Sequence, residues 1–291
     1  MPTASMPLSI GSQPLLLAAM LTGLSHFITR QGGDGLQVLD VAGLSEHSSR
    51  RPNDPISLLS YCRALEEAAK ATGNANFGLA FGRQFPPQSL GLLGYICLSS
   101  PTLGLALASL ADYFPLHQQN SRLRLSQRQG ICLLEYRTED AALNRRHPNE
   151  LMLALLCNVM RQALGAEWQP TAVYFEHPCP GPLEEHRQAF GRGVCFGQEV
   201  NAIAFEPRAL AEPMPGRDPL LLNVARQSLE MVGELNRVSI NFLDLVKNKL
   251  VELLSQGNPR LDEVARGLNM PPPLDVAAAS GRPWDQLQDP D

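Results

Sequence analysis

Metal-binding spacing is absent from this sequence. None of its 6 cysteines forms a Cys-x-x-Cys pair, and its 6 histidines contain no closely spaced His pair, so a structural zinc site is not expected. No GxxxxGK[ST] loop occurs, which removes the usual phosphate cradle. Aromatic residues make up only 6% of the chain, leaving aliphatic side chains to build the core. The longest early apolar run, Pro14 to Leu24, is too short to span a bilayer and contains Thr22 and Gly23. The start lacks the charged, apolar and small-residue zones of a signal peptide. A net charge of −5 rules out a polycation, so any nucleic-acid contact must be a local patch. The 23 Gly and 24 Pro are aperiodic, which excludes collagen-like order and argues against disorder. There is no internal repeat. Together these absences lead us to expect a soluble cytoplasmic protein without membrane contact, metal, cofactor or enzymatic activity.

What is present suits one large or two ordinary domains: 291 residues, 44% of them apolar. Helical spacing covers Pro14 to Arg30 and Ile56 to Ala71, the latter with Leu58, Leu59, Cys62, Leu65 and Ala69 as its buried stripe. Ser45 to Pro55 reads as a loop. Phe77 to Arg83 is a short helix or tight turn, and Thr102 to Tyr113 is a helix. After Phe114-Pro115 the period changes. Arg122 to Leu125 and Ile131 to Tyr136 read as strands around Gln129-Gly130. Asn149 to Leu164 is a long apolar helix. Thr171 to Glu176 is a strand, Pro182 to Phe190 a helix, and short strands follow at Val194 to Phe196 and Ala202 to Phe205. Helices first, then strands mixed with helices, predict an α+β domain over residues 14–212. Residues 213–240 read as a linker and helix whose stripe (Leu222, Ala225, Leu229, Val232) either seals a dimer or packs on its own domain.

Residues 241–291 are all-α in pattern. Phe242, Leu245, Val246, Leu250, Leu253 and Leu254 share a helix face. Gly257-Asn258-Pro259 stops that helix, and Leu261, Val264, Ala265 and Leu268 begin another, with Asp262 and Glu263 in its first turn. Two helices joined so tightly suggest a helix-turn-helix.

Five stretches then fall into a known order. They are Thr72-Gly73-Asn74-Ala75-Asn76-Phe77-Gly78-Leu79, Leu90-Gly91-Leu92-Leu93-Gly94-Tyr95, Ser100-Pro101-Thr102-Leu103-Gly104-Leu105-Ala106, Val173-Tyr174-Phe175-Glu176-His177-Pro178 and Phe190-Gly191-Arg192-Gly193-Val194-Cys195-Phe196. The series resembles the arabinose-binding-type effector domain of AraC-family transcription regulators. Asn258 to Met270 and Ala279 to Leu287 are similar to the start of the same family's DNA-binding domain. The resemblance implies a ligand-sensing domain that controls helix-turn-helix DNA binding, with promoter DNA, a small-molecule effector and a dimer partner as its contacts.

The match also implies that the DNA-binding domain is truncated and altered, with its second helix-turn-helix unit missing. The reading helix has become Pro271 to Ala279. From Pro271 to Asp291 stand one basic residue, Arg282, and four acids, Asp275, Asp285, Asp289 and Asp291, a balance of 1 − 4 = −3. Phosphate neutralisation needs Lys and Arg, so weak or lost DNA binding is expected. The DNA-facing set would be Arg260 and Arg266 on phosphate, with Leu274, Asp275 and Arg282 around the groove. The alternative is a DNA-binding-deficient module that binds a ligand or pairs with full-length relatives.

Pockets for small molecules are apolar with a few polar groups. Arg83, Tyr95, Tyr113, His117 and Tyr136 lie in such mixed segments and are the effector-site candidates; the plain alternative is surface or core packing. Asn144-Arg145-Arg146-His147 reads as a solvated basic loop or an anion contact at a helix N-terminus. His177, Cys179, His186 and Cys195 invite a thiol or zinc reading but lack its spacing.

Overall fold

The computed structural model describes residues 14–138, 146–254 and 261–267. The chain divides into two units, Met1–Glu234 and Leu235–Asp291. In the first, the stretch from Pro14 to Arg30 is only half helix. β1 (Leu15–Leu17) extends and pairs antiparallel with β2 (Pro55–Ser57), with Leu16 opposite Ile56. A 310 turn follows at Ala18–Leu21, then Gly23 at φ 77° and α1 (Leu24–Arg30). Residues Leu16 to Leu21 are all buried. A run apolar on every side carries no period to separate strand from helix, and the distant partner strand decides it.

α2 (Gly35–Val41) is capped by the Asp34 carboxylate, which accepts the N–H groups of Leu36 and Gln37 at 3.0 Å. α3 (Glu46–Ser49) replaces part of the expected loop, because Ser45 caps it in the same way. α4 (Leu58–Thr72) ends at Gly73 in the left-handed region. It buries Leu58, Tyr61, Cys62, Leu65 and Ala68, while Leu59, expected inside, is 46% exposed. Leu59 shares its flank with Arg63 and Glu66 at i+4 and i+7, so the inward stripe is centred on Tyr61.

α5 (Phe77–Gln84), α6 (Leu92–Ser99) and α7 (Leu103–His117) follow. α7 runs past Pro115, where the sequence suggested a stop. The hairpin of β3 (Ser121–Arg128) and β4 (Ile131–Thr138) turns on Gln129 and Gly130, both at positive φ, as a two-residue primed turn requires. Then come α8 (Arg146–Leu164), β5 (Ala172–Tyr174), α9 (Glu184–Phe190), β6 (Val194–Cys195) and β7 (Asn201–Phe205). The five strands lie in the order β3-β4-β7-β5-β6, antiparallel except for β5 with β6. α8 is buried almost throughout and shares one core with the inward residues Leu134, Val173 and Ile203. This is an α+β architecture, as the order of helices and strands predicts.

α10 (Pro219–Leu254) is one unbroken helix, although the sequence suggested two. Leu222, Ala225 and Leu229 are buried in the core of the first unit, so that stripe packs on its own domain. A different stripe, Leu220, Val224 and Met231, is exposed. In the second unit, α11 (Leu261–Gly267) buries Val264. No helix among the described residues is long and apolar enough to cross a membrane.

Candidate functional site

Two of the five effector-site candidates meet around Phe114. Its ring centroid lies 6.0 Å from His117 and 5.8 Å from Tyr136, the latter edge-on at 82°. Strand alternation explains Tyr136: Cys132, Leu134 and Tyr136 all point inward from β4. Its hydroxyl accepts hydrogen bonds from Gln118 Nε2 at 2.9 Å and Thr138 Oγ1 at 3.0 Å. Gln118 Nε2 also donates to Ser121 Oγ at 2.7 Å. Gln118 itself is fixed by a backbone bridge to Leu16 on β1.

Beside this satisfied network stand polar atoms without partners. His117 is 1% exposed, and neither ring nitrogen has a hydrogen-bond partner among the described residues. The buried Tyr61 hydroxyl is likewise unpartnered. Burial alone pushes the His117 pKa down to about 4, so the ring is neutral near pH 7, with one N–H donor and one acceptor nitrogen. Burial, then the nearby Cys62 and Tyr136, push the Tyr61 phenol well up. An orphaned buried polar group costs about 1–3 kcal/mol. Such groups belong where a ligand or water completes them.

Tyr113 sits one turn before His117 on α7. Its hydroxyl donates to Glu230 Oε1 at 2.8 Å, and the Arg226 guanidinium lies 5.9 Å from its ring centroid. Arg226 also donates to Ser109 Oγ at 2.7 Å. Tyr113 therefore fastens α10 to the helix that carries His117. Arg83 lies exposed at the end of α5, and Tyr95 is 44% exposed on α6; neither joins the cluster. Of the DNA-facing set, Arg266 is exposed on α11, whereas Arg260, Leu274, Asp275 and Arg282 lie outside the described residues.

The sequence reading missed Glu150. It is fully buried on α8, and its Oε1 accepts from His186 Nε2 at 3.0 Å and Arg146 Nε at 3.1 Å, with His177 Nε2 at 3.6 Å. Arg146 also donates to Asn76 Oδ1 at 2.6 Å. Phe175, Phe190 and Phe196 wall the group. Burial alone would raise the Glu150 pKa, but the His186 hydrogen bond and the Arg146 charge outweigh it and hold the carboxyl low. Of the Asn144 to His147 cluster, Asn144 and Arg145 lie outside the described residues; Arg146 pairs with Glu150 one helical turn on rather than with an outside anion. His147 is buried and its Nδ1 accepts the Gly78 N–H at 3.3 Å. His177 and His186 converge on a carboxylate, and among the described residues no group of three could hold a metal.

His117 and His147 are both pushed down to about 4, each chiefly by burial. A depressed histidine pKa means the unfolded chain binds the proton first. Stability should therefore fall as pH drops from about 6.5 towards 4, by up to about 3 kcal/mol per histidine. Denaturant titrations across that range check this, and a flat profile would contradict it.

Comparison with known proteins gives three findings. A family model described as the arabinose-binding domain of AraC transcription regulator, N-terminal, matches residues 32–214. The chain is 24% identical over 271 residues to the ornithine utilization regulator of Pseudomonas aeruginosa, spanning 88% of this chain and 78% of that protein. The crystal structure of the transcriptional regulator CdpR from Pseudomonas aeruginosa aligns over 86% of this chain and 79% of that one, at 14% identity and a TM-score of 0.48.

Proposed function

Because the chain belongs to the AraC family of transcription regulators and carries its arabinose-binding-type N-terminal domain, we propose that a small effector completes the polar cluster at His117 and thereby controls DNA binding. The observation that carries this reading is a buried imidazole with both nitrogens unpartnered among the described residues. The complementary ligand is a small, largely apolar molecule with one polar end that both donates and accepts, such as a hydroxyl or amide. Ornithine also enters the screen, because a relative regulates its utilization.

The signal would travel along α7. An effector at His117 acts one turn from Tyr113, whose bond to Glu230 anchors α10. α10 also offers the exposed stripe Leu220, Val224 and Met231, which suits a second copy or a full-length relative. That stripe and the −3 balance after Pro271 favour the second reading, a pairing module without DNA activity. Electrophoretic shift with promoter DNA at low salt separates the two. The regulator reading expects a shifted band, and no shift at any protein concentration removes it.

Replacing His117 by leucine removes the orphaned polar group. His117→Leu is expected to stabilise the effector-free protein by about 1–3 kcal/mol while abolishing any effector response. Chemical denaturation checks the first part. A loss of more than 1 kcal/mol would show that the imidazole is satisfied in the resting protein.

A further inference from the structure

The β3–β4 hairpin has two unlike faces. Leu123, Cys132, Leu134 and Tyr136 point into the core. On the other face stand Arg122, Arg124 and Arg128, with Arg137 directly opposite Arg122 and Glu135 opposite Arg124. The four arginines are exposed. Arg122, Arg124, Glu135 and Arg137 line one hollow of about 290 Å³. Four arginines and one glutamate give a local balance of 4 − 1 = +3, on a chain whose net charge is −5. Following the register across the sheet, the same face continues through Ala202 and Ala204 to Ala172 and Tyr174. The strands add no further acid to it among the described residues.

Charge on an edge strand can serve only to block edge-to-edge pairing. That role needs arginines on β3 alone. Arg137, however, stands on the inner neighbour β4, with its Nε 3.7 Å from Glu135 Oε2, and extends the group across the face rather than along the edge. Alternate residues of a strand are about 6.8 Å apart, close to the separation of successive phosphates along a nucleic-acid strand.

We propose that this arginine face binds the phosphate backbone of duplex DNA and gives the regulator sequence-independent affinity. The proposal rests on the reading of the chain as a DNA-bound regulator. It supplies from the first unit cationic contacts in which the stretch from Pro271 to Asp291, with Arg282 against four acids, is poor.

The test is fluorescence anisotropy of the full chain on a labelled mixed-sequence duplex, between about 50 and 200 mM salt. Each phosphate contact contributes about 0.9 to the slope of log affinity against log salt. The triple variant Arg122→Ser, Arg124→Ser, Arg137→Ser is expected to lose between about 0.9 and 2.7 of that slope, short of the upper figure if the Glu135 pair keeps Arg137 from phosphate, and at least tenfold in affinity at low salt. Glu135→Gln is expected to tighten binding. If the triple variant melts below wild type, the single reversal Arg124→Glu carries the same expectation with a smaller change. A folded variant with the wild-type slope overturns the proposal and leaves the regulator reading standing. Wild-type protein that binds no duplex at low salt overturns both. Inorganic phosphate that raises the wild-type melting temperature, with the DNA slope unmoved in the variant, overturns the proposal in favour of a small-anion pocket.

Discussion

Glu150→Ala is expected to destabilise the first unit by about 3–5 kcal/mol, the loss typical when one partner of a buried ion pair is removed. Glu150 is fully buried. Its removal leaves the His186 N–H, itself fully buried, without its acceptor, and takes from Arg146 its 3.1 Å ion-pair contact. Water cannot readily reach the His186 ring behind Phe175 and Phe196, whereas Arg146, about a quarter exposed, can recover some hydration. Glu150→Gln preserves the shape and one acceptor but not the charge, so it should cost less. The pH dependence has a definite sign. The folded-state pKa is held below the ordinary value of 4.5, so this stabilisation is complete above the unfolded pKa and is lost as pH falls through the folded one. That window opens at the ordinary carboxyl value of 4.5 and so overlaps the low end of the one set by His117 and His147. Urea titration of both variants at neutral pH is the check, and a loss under 1 kcal/mol for Glu150→Ala would mean that the cluster does not organise the fold.

The second large effect concerns the contact between α5 and α8. Gly78 and Gly82 lie one turn apart on α5. A Cβ on Gly78 would sit 2.3 Å from the His147 carbonyl oxygen and 2.6 Å from its Cα. One on Gly82 would meet the Leu151 carbonyl at 2.6 Å and its Cα at 2.7 Å. Both obstacles are backbone, which does not swing aside as a side chain does, so the helices themselves must separate. Gly78→Val is expected to cost about 3 kcal/mol or more and to lower the melting temperature by several degrees. Gly233→Ala is the control. There the atoms nearest the added methyl belong to the Leu116 side chain, which can turn away, and the helix gains about 0.5–1 kcal/mol of propensity. Equal losses for the two variants would refute close helix packing as the reason for these glycines.

Most helices and the β3–β4 hairpin were readable because their signals are local: an amphipathic spacing, a capping side chain, a Gln-Gly turn. What escaped reading was decided at a distance. Leu15–Leu17 looks helical until Pro55–Ser57 pairs with it. His117 and Tyr136 could be nominated as mixed-environment residues, but their meeting depends on Phe114 standing between α7 and β4. Glu150 carried no signal at all. Within the apolar stretch of α8 it reads as an ordinary helix glutamate, and its partner His186 is 36 positions away. Arg83 and Tyr95 occupy similarly mixed segments and face solvent, because local composition does not fix the direction of a side chain.

The proposed effector site at His117 is tested most directly by thermal-shift screening of wild-type protein and His117→Leu against one metabolite library that includes ornithine. A compound bound at the cluster should raise the wild-type Tm, increasingly with the logarithm of its concentration above Kd, and leave the variant unmoved. A compound that raises both by the same amount would contradict the account, because the effector would then be held elsewhere.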